Sequence, residues 1–230
     1  MRLKSFGCSF IFGSELADDG RDGPYATASQ LTWPAHLARS LGRKYECYAY
    51  PGSGNLQILE NILNQAAVSD SSDLFVIGWT WIDRFDYYPH TPKTPSRSPW
   101  RTIMPVDTDA VAQVYYRDLH SEYRDKFVSL LNIKLAIDTL QQRGIPFVMT
   151  YMDHLLFDQR WHITPAVVDL QSRVQPYMQD FDGQTFLEWS RASGYPETAA
   201  WHPLEAAHEA AGNYMIKVFD KQYTNGRDLS

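Results

Sequence analysis

Two residue types at opposite ends of this 230-residue chain carry a chemistry that neither has alone. The stretch FGCSFIFGSEL, residues 6 to 16, follows a short lead-in from Leu3 to Phe6. It ends a first strand on Gly7, Cys8 and Ser9. A serine hydroxyl becomes a nucleophile when a base takes its proton and donors hold the oxyanion formed on attack. The base is most often histidine. Of the 7 histidines, His202 stands apart, in WHPLEAAHEAAG, directly before Pro203. The following proline restricts its backbone and lets the ring be presented to a neighbour. His36 and His120 fall in helical stretches, His90 in a proline-rich stretch, and His208 on the last helix as a packed or capping side chain. His154 and His162 with Asp153 are ligand types for a metal, but no fixed ligand spacing joins them.

Other side chains with chemical potential have plainer alternatives. Arg84 follows the third strand, in WTWIDRFD, where it would bind a carboxylate or phosphate bidentately. The commoner role there is a surface salt bridge to Asp83 or Asp86. Trp79 and Trp81 would stack on a sugar ring or simply form walls. Asp18, Asp19 and Asp22 read as a solvated acidic loop. Cys8 and Cys47 read as reduced thiols rather than a disulfide, because nothing else points to an oxidising compartment. Two cysteines are too few for a structural zinc site. A thiol enzyme using Cys8 is a further reading, although a residue before the turn serine points into the core.

The elements that must position these residues alternate. A strand at 2–8 is followed by a loop or short irregular turns at 9–28 and a helix at 29–42. A strand at 45–50 then runs into the turn PGSGN, where Asn55 would cap a helix at 56–68. DLFVIGW, 73–79, is a continuous apolar run, the mark of a strand buried on both faces of a parallel sheet. An excursion with five prolines occupies 86–109. One long helix, or two with a kink, fills 110–143, and IPFVMTY is a fourth strand. A helix at 164–178, a short strand or helical turn at 185–189, a last helix at 204–221 and a flexible tail from about 223 complete the chain. Such alternation predicts a three-layer α/β/α sandwich with a mostly parallel sheet of about five strands, as one domain over 1–230. In these sheets ligands bind beyond the carboxyl ends of the strands. Ser9, Gly52 to Asn55, and Trp79 with Thr80 all lie just past strand ends, so they converge on one edge.

The net charge of −6 and the lack of a basic run argue against a nucleic-acid partner. No apolar run is long enough to span a membrane, and the N-terminus is too short and polar for a secretory signal. A cytoplasmic setting is the expectation.

Four blocks, in order, resemble the SGNH/GDSL hydrolases, and in particular divergent members of the kind phages encode, which would place the protein in the host-cell cytoplasm. FGCSF is similar to the Gly-Asp-Ser block, with Cys8 at the Asp position, and the match makes Ser9 the nucleophile. YPGSGN resembles the second block, whose glycine N–H serves the oxyanion; that is Gly52. VIGW with Thr80 resembles Gly-x-Asn-Asp, with Thr80 at the Asn position and Trp81 at the Asp position. WHPLEAAHEAAG resembles the Asp-x-x-His-Pro block, with Ala199 at the Asp position.

The resemblance implies a flavodoxin-like SGNH fold and a serine ester hydrolase using Ser9 and His202. No metal or organic cofactor is needed, and the substrate is a small ester or an O-acylated glycan. Thr80 and Asn55 would assist the oxyanion. With Ala199 where the acid belongs, three readings stand open for His202. A backbone carbonyl orients it, or Asp153 or Glu197 replaces the acid, or the site is degenerate and the chain is a glycan- or protein-binding module.

Overall fold

Four strands lie side by side in the order β2-β1-β3-β6, all parallel. The computed structural model describes residues 1–20, 27–90 and 99–224. In chain order these form β1 (Arg2–Phe6), α1 (Ser9–Phe12), α2 (Trp33–Ser40), β2 (Lys44–Cys47), α3 (Asn55–Ala66) and β3 (Leu74–Trp79). Next come β4 (Phe85–Tyr87), β5 (Arg101–Ile103), α4 (Ala110–Val114), a π-helical turn (Tyr115–Leu119) and α5 (Glu122–Gln142). The chain continues with β6 (Phe147–Tyr151), α6 (Pro165–Val174), α7 (Phe186–Ala192) and α8 (Glu205–Thr224).

The alternation of β3 sorts the core into two layers. Phe75, Ile77 and Trp79 pack with Ile58 and Ile62 of α3 and with Leu130, Ile133 and Ile137 of α5. Leu74 and Val76 face the other way, toward Trp33 and Leu37 of α2 and Ala207, Ala211 and Met215 of α8. Every residue of β3 is buried, as expected for a strand covered on both faces.

The parallel sheet has four strands, one fewer than the expected five or so; the excursion contributes a separate antiparallel pair, β4 with β5. Of the two readings of 185–189 the helical one holds, because Thr185 and Glu188 form a reciprocal capping box at the start of α7. Within the loop or irregular turns at 9–28, residues 9–12 form one short helical turn, which Ser9 opens. The 110–143 stretch does break in two: the π-turn ends at His120, and Ser121 caps α5. Asp19 is buried and accepts the Glu15 N–H, and Asp18 accepts the Gln30 N–H, so these two are structural rather than merely solvated. Asp22, residues 91–98 of the excursion and the tail beyond Thr224 lie outside the described residues. Cys8 is buried and both cysteines are free. Among the described residues no helix is long and apolar enough to cross a membrane.

Two buried polar contacts fix the ends of helices near the sheet edge. The Asp86 carboxylate of β4 accepts from Gly54 N at 3.0 Å and Gln57 N at 2.9 Å, and so caps α3 from a distant strand. A Cβ at position 54 would stand 2.5 Å from Asp86 Oδ2. The second contact joins α2 to α8: Trp33 N donates to His208 Nδ1 at 3.1 Å, in a fully buried site.

Gly54→Ala is therefore expected to displace the Asp86 cap and cost about 1–3 kcal/mol, read as a lower urea midpoint. For His208, burial pushes the imidazole down to about 3, below the ordinary value of about 6.5. Between those values the unfolded chain binds a proton that the folded chain refuses. The stability that neutral His208 contributes is thus whole above about pH 6.5 and is lost as pH falls toward 3. The gap in unfolding free energy between wild type and His208→Gln is expected to narrow by about 2 kcal/mol from pH 7 to pH 5. A gap that does not change with pH would show that His208 does not titrate with unfolding.

Candidate active site

β1 delivers its last residue, Phe6, beside Ile77 of β3, and the chain turns into α1 two residues later. α1 can lie this close to the strand ends because position 78 is glycine. A Cβ there would meet Ile11 Cγ1 at 2.7 Å. Ser9 is the first residue of α1, so its N–H has no acceptor within the helix. His202 arrives from the far end of the chain, just before α8. Its Nε2 lies 2.9 Å from Ser9 Oγ.

The other ring nitrogen answers the question left open by Ala199. His202 Nδ1 lies 2.6 Å from Glu15 Oε2. A carboxylate only accepts, so Nδ1 carries the proton and Nε2 is free to accept from the Ser9 hydroxyl. Thr198 braces the arrangement. Its hydroxyl donates to the same Glu15 oxygen and accepts from Ala200 N and His202 N, each at 3.2 Å. Two non-glycine residues here are left-handed, Glu15 at φ 72° and Trp201 at φ 64°. Such backbones cost on the order of 1–3 kcal/mol and persist where surrounding contacts over-determine them. Phe10 meets the His202 ring edge-on, with centroids 5.2 Å apart.

Neither acid expected from the sequence faces His202. Glu197 pairs with Arg191 at 2.8 Å, on the surface. Asp153 accepts from Ile82 N at 3.1 Å and Leu155 N at 2.9 Å, where it caps a short turn after β6. Sequence proximity to His202 singles out Glu197, and a strand-end position singles out Asp153; Glu15 has neither mark. The signal lay in the opening stretch itself. One turn of α1, ended by Gly13 in the left-handed conformation, carries the chain round so that position 15 returns toward the sheet edge. The suggested metal ligands are apart in function: His154 pairs with Glu188 at 2.7 Å and His162 with Glu122 at 3.2 Å.

The remaining expected residues divide. Gly52 is the third residue of a turn closed by Ser53 N donating to Tyr50 O at 3.2 Å. With Pro51 second and Gly52 at φ 82°, the turn is type II. The Gly52 N–H has no hydrogen-bond partner among the described residues. Asn55 is not an oxyanion donor, because its amide is committed elsewhere. Its oxygen accepts Thr80 N at 2.9 Å, and its nitrogen donates to Thr80 O at 3.2 Å and Ser129 Oγ at 3.1 Å. Nor does it cap α3, where Gly54 holds the cap position. Thr80 is fully buried, its hydroxyl has no partner among the described residues, and it does not line the cavity at Ser9.

Arg84 does line that cavity. It donates to Ser53 O at 3.0 Å and lies 5.0 Å from the Trp81 ring, and the expected salt bridge to Asp83 or Asp86 is not made. The cavity is about 280 Å³, with Ser9 and His202 on one side, Trp81 and Arg84 on another, and Val106 and Trp201 at its margin.

No protein-family model and no curated protein matches the sequence. Solved structures do. A lipolytic protein of the G-D-S-L family from Veillonella parvula superposes with a TM-score of 0.50 at 15% identity, over 96% of this chain and 99% of that one. The psychrotrophic esterase EstA of Pseudoalteromonas sp. gives 0.51 at 10% identity, over 97% and 99%. The acetyl xylan esterase Est2A of Butyrivibrio proteoclasticus gives 0.51 at 10% identity; 97% of this chain matches 64% of that longer one. A parallel four-strand sheet between two helical layers gives this chain the fold shared by these G-D-S-L lipolytic proteins and esterases.

Proposed function

We propose that the protein is a serine ester hydrolase in which Ser9, His202 and Glu15 act as one unit. The observation that carries this reading is the unbroken chain of hydrogen bonds, 2.9 Å from Ser9 Oγ to His202 Nε2 and 2.6 Å from His202 Nδ1 to Glu15. Ser9 Oγ attacks the acyl carbonyl as its proton passes to Nε2. The imidazolium formed is stabilised by the Glu15 carboxylate. The leaving alkoxide takes the proton from Nε2 and departs as an alcohol, leaving an acyl-Ser9 ester. Water then attacks that ester, gives its proton to Nε2, and the serine hydroxyl is restored as the acid leaves.

The oxyanion is held by the N–H groups of Ser9 and Gly52. Two backbone donors suffice for such a hole, and each is worth about 10² to 10³ in rate. No step calls for a metal or an organic cofactor. A small ester or an O-acylated glycan fits the cavity beside Ser9, and an acetyl xylan esterase is among the proteins sharing the fold. The missing acid at position 199, which had favoured a silent binding module, is supplied by Glu15. The thiol reading loses its support, since Cys8 is 1% exposed.

A serine-directed fluorophosphonate is expected to label Ser9, and Ser9→Ala to lose both labelling and hydrolysis of p-nitrophenyl acetate. Glu15→Gln keeps the shape of the side chain but removes its charge. It is expected to lower kcat by about 10² to 10⁴ with little change in thermal midpoint. Full activity in Glu15→Gln would remove it from the mechanism, and an unlabelled wild-type Ser9 would remove the mechanism itself.

A further inference from the structure

The cavity wall beside Ser9 carries two charged groups without adequate partners. Arg84 makes one hydrogen bond among the described residues, to a backbone carbonyl, and lies over Trp81, so most of its five N–H donors are open. Asp83 lines the same cavity, and its carboxylate accepts from its own backbone N–H and from no other described residue. The two attract each other by charge but share no hydrogen bond among the described residues. Their backbone is held firmly. The Tyr116 hydroxyl, brought in by the π-turn, lies 2.5 Å from Asp83 O and 3.0 Å from Ile103 O. Burial also pushes the Asp83 carboxyl up, a mark of poor solvation.

Polar groups left unsatisfied in a half-buried cavity are costly unless a ligand completes them. The class of ligand follows by elimination. A long acyl chain would bury both groups unpaired. An anion would suit Arg84 but face the Asp83 carboxylate, and a cation would suit Asp83 but face Arg84. A neutral group carrying adjacent hydroxyls both donates to Asp83 and accepts from Arg84. At the mouth stands Trp201, 64% exposed, in a left-handed backbone tied by its N–H to Thr198 O at 3.0 Å. The Arg191 guanidinium lies over one face of the indole, 5.9 Å from its centroid, and the exposed remainder of the ring offers a flat apolar surface. Hydroxyls on one edge and an apolar C–H face together describe a sugar ring.

We infer that Asp83, Arg84 and Trp201 form a subsite for a sugar ring with vicinal hydroxyls, so that the ester cleaved is an O-acyl sugar. This rests on the serine-hydrolase reading above for its chemistry, though not for its binding.

Two matched substrates test it. 6-O-Acetyl-D-glucose and cyclohexylmethyl acetate share a primary acetate on a six-membered ring, and only the first has ring hydroxyls. Wild type is expected to favour the sugar ester by about tenfold or more in kcat/KM, the scale of discrimination set by hydrogen bonds to substrate hydroxyls. Asp83→Ala and Arg84→Met are expected to bring the ratio close to one, and Trp201→Gly, on an exposed left-handed residue, to lower it. A wild-type ratio near one, or a ratio untouched by all three changes, would overturn the subsite. Binding separates this from the fate of the hydrolase reading. In Ser9→Ala protein, saturation-transfer NMR is expected to show contacts to methyl β-D-glucopyranoside that vanish when Asp83→Ala is added. Those contacts in a protein that hydrolyses no ester would sustain the subsite and end only the hydrolase reading; their absence would end the subsite.

Discussion

One imidazole joins the two ends of this chain. His202 is held by Ser9 on one nitrogen and Glu15 on the other, across 193 and 187 residues of sequence. Ser9 and Glu15 come from a single short segment, so once α1 docks on the sheet their relative position is set by local geometry alone. Only the histidine must be brought in from afar. Other contacts between the same two ends secure it: Ala17 N donates to Glu205 at the start of α8, and Trp33 N donates to His208. Together they dock the first part of the chain on the last helix.

The sheet explains why the junction occurs at one edge. With every connection parallel, each strand ends at the same rim, and each following segment begins there. β1 is inner, between β2 and β3, so the residue after it meets the segments that follow both neighbours. The turn after β2 holds Gly52 at that rim, and the segment after β3 lines the cavity at Ser9 with Trp81, Asp83 and Arg84. Buried polar pairs hold these segments to each other. Asn55 grips the backbone of Thr80 through both its amide groups, and Asp86 caps α3. An asparagine at the rim thus serves as a fastener between segments.

Much of the architecture was legible in local pattern. DLFVIGW and IPFVMTY are apolar runs of strand length, and both are strands buried in the sheet. The turn glycines and Pro34 near the start of α2 mark element boundaries within a few residues. TFLEW was legible only as a strand or a helical turn, since it has the apolar content of a strand but a helix cap at its entrance, and the cap decided for the helix. The pairing of Ser9 with His202 was legible because each stands at a recognisable boundary, a strand end and a proline-led helix start.

What sequence by itself determined was the layering, the strand-end placement of Ser9 and the presentation of His202, because hydrophobic periodicity, glycine and proline act over a few residues. Tertiary structure alone decided which carboxylate meets His202, that Asn55 grips Thr80, and that Arg84 donates to Ser53 O rather than to Asp83 beside the serine. Those outcomes depend on where side chains far apart in sequence point after packing. The 27 acidic residues all look alike in a linear reading, and only the fold brings Glu15 within 2.6 Å of the ring.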